Sequence, residues 1–110
     1  MMDLSFWVSK NANFMPGKTA IRFEGLDITY SEFDRQICLY ARTLKHSFGV
    51  TPGDRVAFLG VNTPSLLCTF FACARLGAIF SPLNWRLTAL EHRYMLQDSD
   101  AKTLISDEEF

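Results

Sequence analysis

From residue 55 onward, apolar segments of strand and helix periodicity alternate, and this alternation constrains the fold more than any other sequence feature. Strands are predicted over Arg55 to Leu59, Ala78 to Ser81 and Lys102 to Ile105. The helices between them are predicted over Ser65 to Leu76 and Thr88 to Gln97. Strands alternating with helices over such short connections pair in parallel through right-handed crossovers. We therefore predict an α/β fold in which residues 55–107 form a βαβαβ unit, part of a doubly wound, mostly parallel sheet.

Residues 1–54 predict a helix, a β-hairpin and a long second helix. Phe6 to Phe14 has an apolar start and a polar continuation, and a Pro-Gly pair then ends the predicted helix. Thr19 to Glu24 alternates apolar and polar residues, as a strand with one solvated face does. A turn over Gly25 to Asp27 would return Ile28 to Tyr30 as the antiparallel second arm.

The long helix is predicted to begin at Ser31. Ser31 suits the N-cap position, and Asp34 three residues later resembles the partner of a capping box. Lys45 and His46 favour the negative end of the last turn, and Gly49 suits the residue after the C-cap. The predicted buried face repeats at helical spacing and comprises Phe33, Ile37, Tyr40, Ala41, Leu44 and Phe48.

The loop over residues 60–64 leads from a strand to a helix start, where dinucleotide-binding units hold a phosphate. Only one glycine is present, Pro64 has no amide to donate, and no acidic residue closes the next strand. We favour a structural interpretation, in which Thr63 caps the helix and Pro64 occupies its first position.

Charge and cysteine usage exclude several classes of protein. The net charge is −1, from 11 basic and 12 acidic residues, without the basic face that nucleic-acid binding needs. Cys38, Cys68 and Cys73 lie in apolar helical segments without metal-ligand spacing, which predicts small buried side chains in a reducing compartment. The amino terminus has no secretory signal pattern, and Arg75 and Pro82 interrupt the longest apolar stretch. We expect a cytoplasmic protein without a transmembrane segment.

Three stretches together resemble the N-terminal domain of AMP-forming acyl-CoA synthetases, members of the AMP-binding, adenylate-forming ligase family. They follow the family's order and cover roughly Phe6 to Asp107. The stretches are Ile28 to Phe33; Gly49 to Ala57, continuing through Asn62 to Pro64 and Gly77 to Asn84; and Leu87-Thr88 with Glu91, Tyr94 and Asp98 to Lys102. The segment from Leu83 to Thr88 is most similar to fatty-acyl and related long-chain carboxylate-CoA ligases.

The resemblance implies an activity for the complete enzyme. A carboxylic acid and ATP form an acyl-adenylate with release of pyrophosphate, and CoA then displaces AMP to give acyl-CoA. ATP, Mg²⁺ and CoA are the implied cofactors, but the family's Ser/Thr/Gly-rich phosphate loop, Tyr-Gly-x-Thr-Glu segment and Thr-Gly-Asp motif do not occur in this sequence. We therefore assign no catalytic, cofactor-binding or metal-binding residue to positions 1–110 and expect this segment alone to be inactive.

Several residues allow a functional as well as a structural interpretation. Trp85-Arg86 follows a strand, where α/β sheets bind ligands, although packing is the commoner role for tryptophan. Phe70-Phe71 could line an acyl tunnel, but a place in the core helix is favoured. His46 is expected to interact with a helix end and His92 to lie on a solvated face, because neither belongs to a metal-binding cluster.

Two hypotheses about function remain open from the sequence. In the first, the chain is the truncated N-terminal part of a ligase domain, because the apolar helix over residues 65–76 and the sheet edges lack neighbours. Its partner would be the remainder of the ligase chain, or a second copy through exposed apolar surface. In the second, it is a small standalone α/β binding or interaction module without enzymatic activity.

Overall fold

The computed structural model describes residues 5–60, 63–83 and 103–106. Within these ranges, the order of elements confirms the predicted mixed α/β architecture. The elements are α1 (Ser5–Phe14), β1 (Thr19–Phe23), β2 (Leu26–Thr29), α2 (Tyr30–Arg42) with a π-helical turn (Thr43–Ser47), β3 (Arg55–Leu59), α3 (Pro64–Leu76), β4 (Ile79–Leu83) and β5 (Thr103–Ser106). The predicted helix from Thr88 to Gln97 lies outside the described residues.

β1 and β2 form the predicted antiparallel hairpin, with a tighter turn than expected. Glu24 and Gly25 both have positive φ, 51° and 79°, which matches the twist of a two-residue hairpin turn. The second arm therefore begins at Leu26 rather than Ile28, and Tyr30 belongs to the following helix.

α2 begins before the predicted N-cap. Thr29 is the N-cap, and its hydroxyl accepts a hydrogen bond of 3.2 Å from the Glu32 amide. The Tyr30 amide donates to the Lys18 carbonyl oxygen at 2.9 Å, so the loop before β1 satisfies a donor of the first turn. Because these acceptors let the helix follow β2 directly, the prediction of Ser31 as N-cap is wrong.

The buried face of α2 is confirmed except at its far end. Ile37 and Leu44 are buried as predicted, whereas Phe48 is 52% exposed. After Arg42 the helix widens into the π-helical turn, whose different residue spacing takes Phe48 off the buried face. Gly49, at a φ of 66°, follows the turn as predicted.

β3 lies in the middle of a parallel sheet with the strand order β4-β3-β5. Ala57 of β3 pairs with Ser81 of β4 and Leu104 of β5, so the chain crosses β3 between β4 and β5. Pro82 was predicted to close β4, but it lies within the strand, opposite Phe58. A proline without an amide is tolerated there because β4 is an outer strand of the described sheet.

The main core lies between α2, α3 and one face of β3. α3 was predicted to lack a partner, but α2 covers it: Phe33 and Ile37 belong to the same buried cluster as Val56 and Ala72. The opposite face of the sheet carries a second buried cluster, formed by Ala57, Leu59 and Leu83. Both faces of the central strand are thus buried, as parallel sheets require.

Candidate functional site

The connection from β3 to α3 is the place where the sequence allowed a phosphate site. Thr63 occupies the N-cap position of α3 and Pro64 begins the helix, both as predicted, but the Thr63 side chain forms no capping hydrogen bond. The Thr63 hydroxyl oxygen is buried and has no hydrogen-bond partner among the described residues. The Thr63 carbonyl oxygen accepts from the amides of Leu66 at 3.1 Å and Leu67 at 3.3 Å. Because Pro64 has no amide and these two are committed, the helix end offers few donors to an anion.

A polar cluster centred on Arg75 joins α1, α2 and α3. The Arg75 Nη2 atom forms an ion pair with Asp34 Oδ1 and donates to Ser9 Oγ at 2.9 Å. The Ser9 hydroxyl in turn donates to Asp34 Oδ1 at 3.0 Å, and Arg75 Nη1 donates to Cys38 Sγ at 2.9 Å. Asp34 therefore serves a contact between helices, and its predicted role in a capping box is wrong.

The chemistry of this Arg75 cluster favours a positioning role over catalysis. The Arg75 and Asp34 side chains are only 17% and 28% exposed, so each charge needs its partner to offset lost hydration. Their hydrogen bonds hold three helices in register, and the carboxylate already accepts from two donors. Sequence reasoning missed this pairing because its one signal was a lone arginine in an apolar helix, with the partner 41 positions earlier.

The cysteines divide into two environments. Cys68 and Cys73 are buried, as predicted, and burial raises the pKa of each thiol to about 11. Such thiols stay protonated at neutral pH and are poor nucleophiles. Cys38 is exposed and receives the Arg75 hydrogen bond, so its predicted burial is wrong: α2 turns this position away from the core.

The paired phenylalanines of α3 form part of an aromatic network. The Phe71 ring meets Phe33 edge-on at 5.6 Å, and Phe70 meets Phe80 at the same distance. These contacts link α2, α3 and β4, which supports the packing interpretation.

His46 is exposed in the last part of the π-helical turn, at the helix end where it was expected. Trp85-Arg86 and His92 lie outside the described residues.

The described residues hold few groups suited to the implied cofactors. No cluster of three or more metal-ligating side chains occurs among them. The Leu66 and Leu67 amides at the start of α3 already donate to the Thr63 carbonyl oxygen. The described residues therefore do not fit the phosphates of ATP or Mg²⁺. In the same part of the chain, no helix is long and apolar enough to cross a membrane.

Comparison with known proteins identifies the class. The family model for AMP-binding enzymes matches residues 8–110, and the chain belongs to this family. The parallel β4-β3-β5 sheet with its preceding hairpin is the arrangement found in N-terminal domains of adenylate-forming ligases.

Individual relatives are acyl-CoA ligases. The chain is 47% identical over 109 residues to indoleacetate–CoA ligase from Aromatoleum aromaticum, covering 99% of this chain and 21% of that enzyme. It is 45% identical over 102 residues to feruloyl-CoA synthase from an Amycolatopsis species, covering 93% of this chain and 21% of that enzyme. The chain thus spans about a fifth of the length of these curated relatives.

A solved structure of similar fold comes from Mycobacterium tuberculosis. The inhibitor-bound N-terminal domain of FACL13 is 30% identical and superposes with a TM-score of 0.89. The match covers 96% of this chain and 27% of that domain chain. The predicted resemblance to the adenylate-forming ligases is therefore confirmed.

Proposed function

We propose that this chain is the N-terminal portion of an ATP-dependent acyl-CoA synthetase, which forms acyl-CoA, AMP and pyrophosphate from a carboxylic acid, ATP and CoA. The observation that carries the proposal is the family match over residues 8–110, and the similarity to acyl-CoA ligases supports it. Within this portion, residues 1–54 would supply the hairpin and two helices and residues 55–107 the βαβαβ unit. The groups that bind ATP, Mg²⁺ and CoA would belong to the rest of the ligase.

The acid that this enzyme activates is proposed to carry a large apolar group. Three relatives at 45% identity or more are named for indoleacetate or ferulate, which are aromatic acids. Structural relatives include a fatty acyl CoA synthetase from Mycobacterium tuberculosis. The chemistry common to these names is a carboxylate attached to a hydrophobic body.

A cytoplasmic location is also part of the proposal, and the three free thiols support it because reducing compartments preserve them.

A chimeric enzyme tests this function. The chain would replace the matched 109-residue segment of the indoleacetate–CoA ligase, and ATP–pyrophosphate exchange would be measured with indoleacetate and with a long-chain fatty acid. We expect exchange well above background in the chimera and none with the 110-residue chain alone. A folded chimera without exchange would contradict the proposal, as would clear exchange by the chain alone.

The alternative of a standalone module has one observation in its favour. Val56, Ala57 and Phe58 of the central strand are fully buried within this chain, which an independent domain would need. Against it stand large apolar side chains left exposed, among them Phe48 and Leu104. A monomer that melts sharply and does not bind a hydrophobic dye would favour the module.

A further inference from the structure

Helix α1 has one buried side and one exposed aromatic side. Val8 is fully buried and belongs to the main core cluster. Trp7, Lys10 and Phe14 follow the helical spacing of three and four residues and therefore share a different side of the helix. Trp7 and Phe14 are 57% and 74% exposed, and Lys10 is exposed between them. We call Trp7, Lys10 and Phe14 the α1 outer face.

A ring contact and backbone hydrogen bonds hold the α1 outer face and the segment that follows it. The Trp7 ring meets the Tyr30 ring edge-on at 5.6 Å. The Lys18 amide donates to the Met15 carbonyl oxygen at 3.1 Å, and the Lys18 carbonyl oxygen accepts from the Tyr30 amide at 2.9 Å. Met15 and Lys18, both exposed, thus extend the surface directly after the helix. A surface that is already ordered loses little conformational entropy when it binds.

The charge of this part of the chain has one sign. Residues 5–23 contain Lys10, Lys18 and Arg22 and no aspartate or glutamate, although the whole chain has a net charge of −1. Arg22 pairs with Asp27 at 2.8 Å, so among the described residues Lys10 and Lys18 supply the positive charge beside the aromatic side chains. Exposed tryptophan and phenylalanine with lysines beside them are the groups that a helix presents when it lies on anionic lipid headgroups.

We propose that the α1 outer face binds the surface of an anionic lipid bilayer. Trp7 and Phe14 enter the headgroup region, and Lys10 and Lys18 lie against the negative lipid groups. Because only two lysines and a few apolar side chains take part, the attachment is peripheral, reversible and weakened by salt. The inference goes beyond the proposed function and does not depend on it.

A second copy of the chain suits the α1 outer face less well. In a twofold contact the same surface meets itself, and Lys10 lies between the two aromatic residues of that surface. The two copies would then bring like charges together at the centre of the contact, which opposes association. An anionic bilayer surface accepts both the aromatic side chains and the lysines.

Cosedimentation with lipid vesicles tests the proposal. The 110-residue chain is mixed with phosphatidylcholine vesicles, either pure or containing about one-third phosphatidylserine. We expect binding to be roughly tenfold tighter or more with phosphatidylserine, because each lysine near the surface contributes about fivefold. Added salt should reverse the difference. Equal binding to both compositions, or no binding to either, would overturn the proposal.

Matched alanine variants separate the α1 outer face from general surface hydrophobicity. Phe14→Ala should weaken binding to the phosphatidylserine vesicles roughly tenfold, because it removes an aromatic side chain that would leave water. Leu26→Ala is the control, since Leu26 is 71% exposed but lies at the hairpin turn, and it should change binding by about twofold at most. Phe14→Trp should retain binding. Equal losses in Phe14→Ala and Leu26→Ala would contradict the proposal.

Charge variants test the electrostatic part in the same assay. Lys10→Gln should weaken binding to the phosphatidylserine vesicles about fivefold. Lys45→Gln, at an exposed lysine of the π-helical turn, is the matched control and should have little effect. A loss in Lys45→Gln as large as that in Lys10→Gln would show that net charge, and not this face, directs the binding.

Tryptophan fluorescence reports on the face itself. Trp85→Phe leaves Trp7 as the sole tryptophan of the chain, and its emission should shift to shorter wavelength on phosphatidylserine vesicles as the ring leaves water. An unchanged emission spectrum would overturn the proposal. A dimer of the chain that is lost on Phe14→Ala, without vesicle binding, would assign the face to a second copy and overturn it too.

The chimera with the indoleacetate–CoA ligase keeps the test decisive where the chain alone adheres to every vesicle through other apolar surface. In the chimera, Phe14→Ala should again weaken binding to phosphatidylserine vesicles roughly tenfold, and Leu26→Ala should not. A chimera that binds no vesicles, or one whose binding Phe14→Ala leaves intact, would count against the α1 outer face.

Discussion

Two apolar surfaces of the same helix differ in how completely they are covered. Where α2 meets α3, Phe33 and Ile37 are buried, and the Arg75–Asp34 ion pair holds the two helices together. We call this surface the helix interface. At an apolar groove between the far end of α2 and β5, which we call the β5-edge groove, Leu39 and the nearby Phe48 remain about half exposed.

The difference shows that apolar character alone does not define a core. The helix interface is closed because α3 returns to α2 within the described chain and its polar groups pair across the contact. The groove has the same kind of side chains, but the described residues provide no second wall beyond β5. A helix can thus be well packed on one side while apolar side chains on its other side stay exposed.

The largest expected effect comes from comparing Ile37 with Leu39. Ile37→Ala should lower the free energy of unfolding by about 2–5 kcal/mol, because it leaves a cavity in the fully buried helix interface. Leu39→Ala, on the same helix, should cost roughly 0.5 kcal/mol or less as a surface substitution. Urea denaturation measures both. Similar losses would show that the groove is already packed as tightly as the interface.

Thiol labelling probes the same contrast residue by residue. With a pKa of about 11, Cys68 and Cys73 are thiolates in roughly one molecule in a thousand at about pH 8. The exposed Cys38 should therefore react with an aromatic disulfide reagent roughly a hundredfold faster than either. Cys38→Ser should remove the fast phase. Rapid reaction of all three thiols in the native chain would mean that the helix interface opens readily.

The Arg75 cluster predicts an intermediate effect. Arg75→Met should destabilise the chain by about 1–3 kcal/mol, because it leaves the partly buried Asp34 carboxylate without its strongest donor. Arg42→Met is the control, since Arg42 is exposed and lies in α2, the helix that also carries Asp34. Adding Asp34→Asn to Arg75→Met should restore part of the loss in a denaturation-based double-mutant cycle. Additive losses would argue against coupling between the two residues.

The smallest effect is expected in the hairpin, outside both surfaces. The hydrogen bond from Arg22, at 2.8 Å, holds the pKa of Asp27 below its ordinary value of 3.8. A lowered folded-state pKa stabilises the fold above pH 3.8, and that contribution is lost as the pH falls through the lower value.

Nuclear magnetic resonance titration measures this shift directly. Arg22→Gln should return the Asp27 pKa toward 3.8, with little change in unfolding free energy at neutral pH because both side chains are exposed. Arg42→Gln, at an exposed arginine of α2, is the control and should leave the Asp27 titration unchanged. An unaltered Asp27 titration would contradict a role for Arg22.

The sequence by itself determined the elements whose signals are local. Periodicity placed β3 at Arg55–Leu59 without error, and Pro64 with Gly77 marked the ends of α3 because each residue favours the backbone that its position requires. Family motifs added the adenylate-forming ligase fold. These features depend on residues close together in the chain, so one sequence is enough to infer them.

Only the tertiary structure decided which polar and apolar groups meet. The Lys18 carbonyl oxygen accepts from the Tyr30 amide, so α2 begins ahead of Ser31. Arg75 of α3 donates hydrogen bonds to Asp34 and Cys38 of α2, which makes them part of a contact between helices. Such choices depend on groups far apart in sequence, whose approach is set by the packing of whole elements. Among the described residues, the same packing closes the helix interface and leaves the β5-edge groove open, because burial follows from which neighbours are within reach.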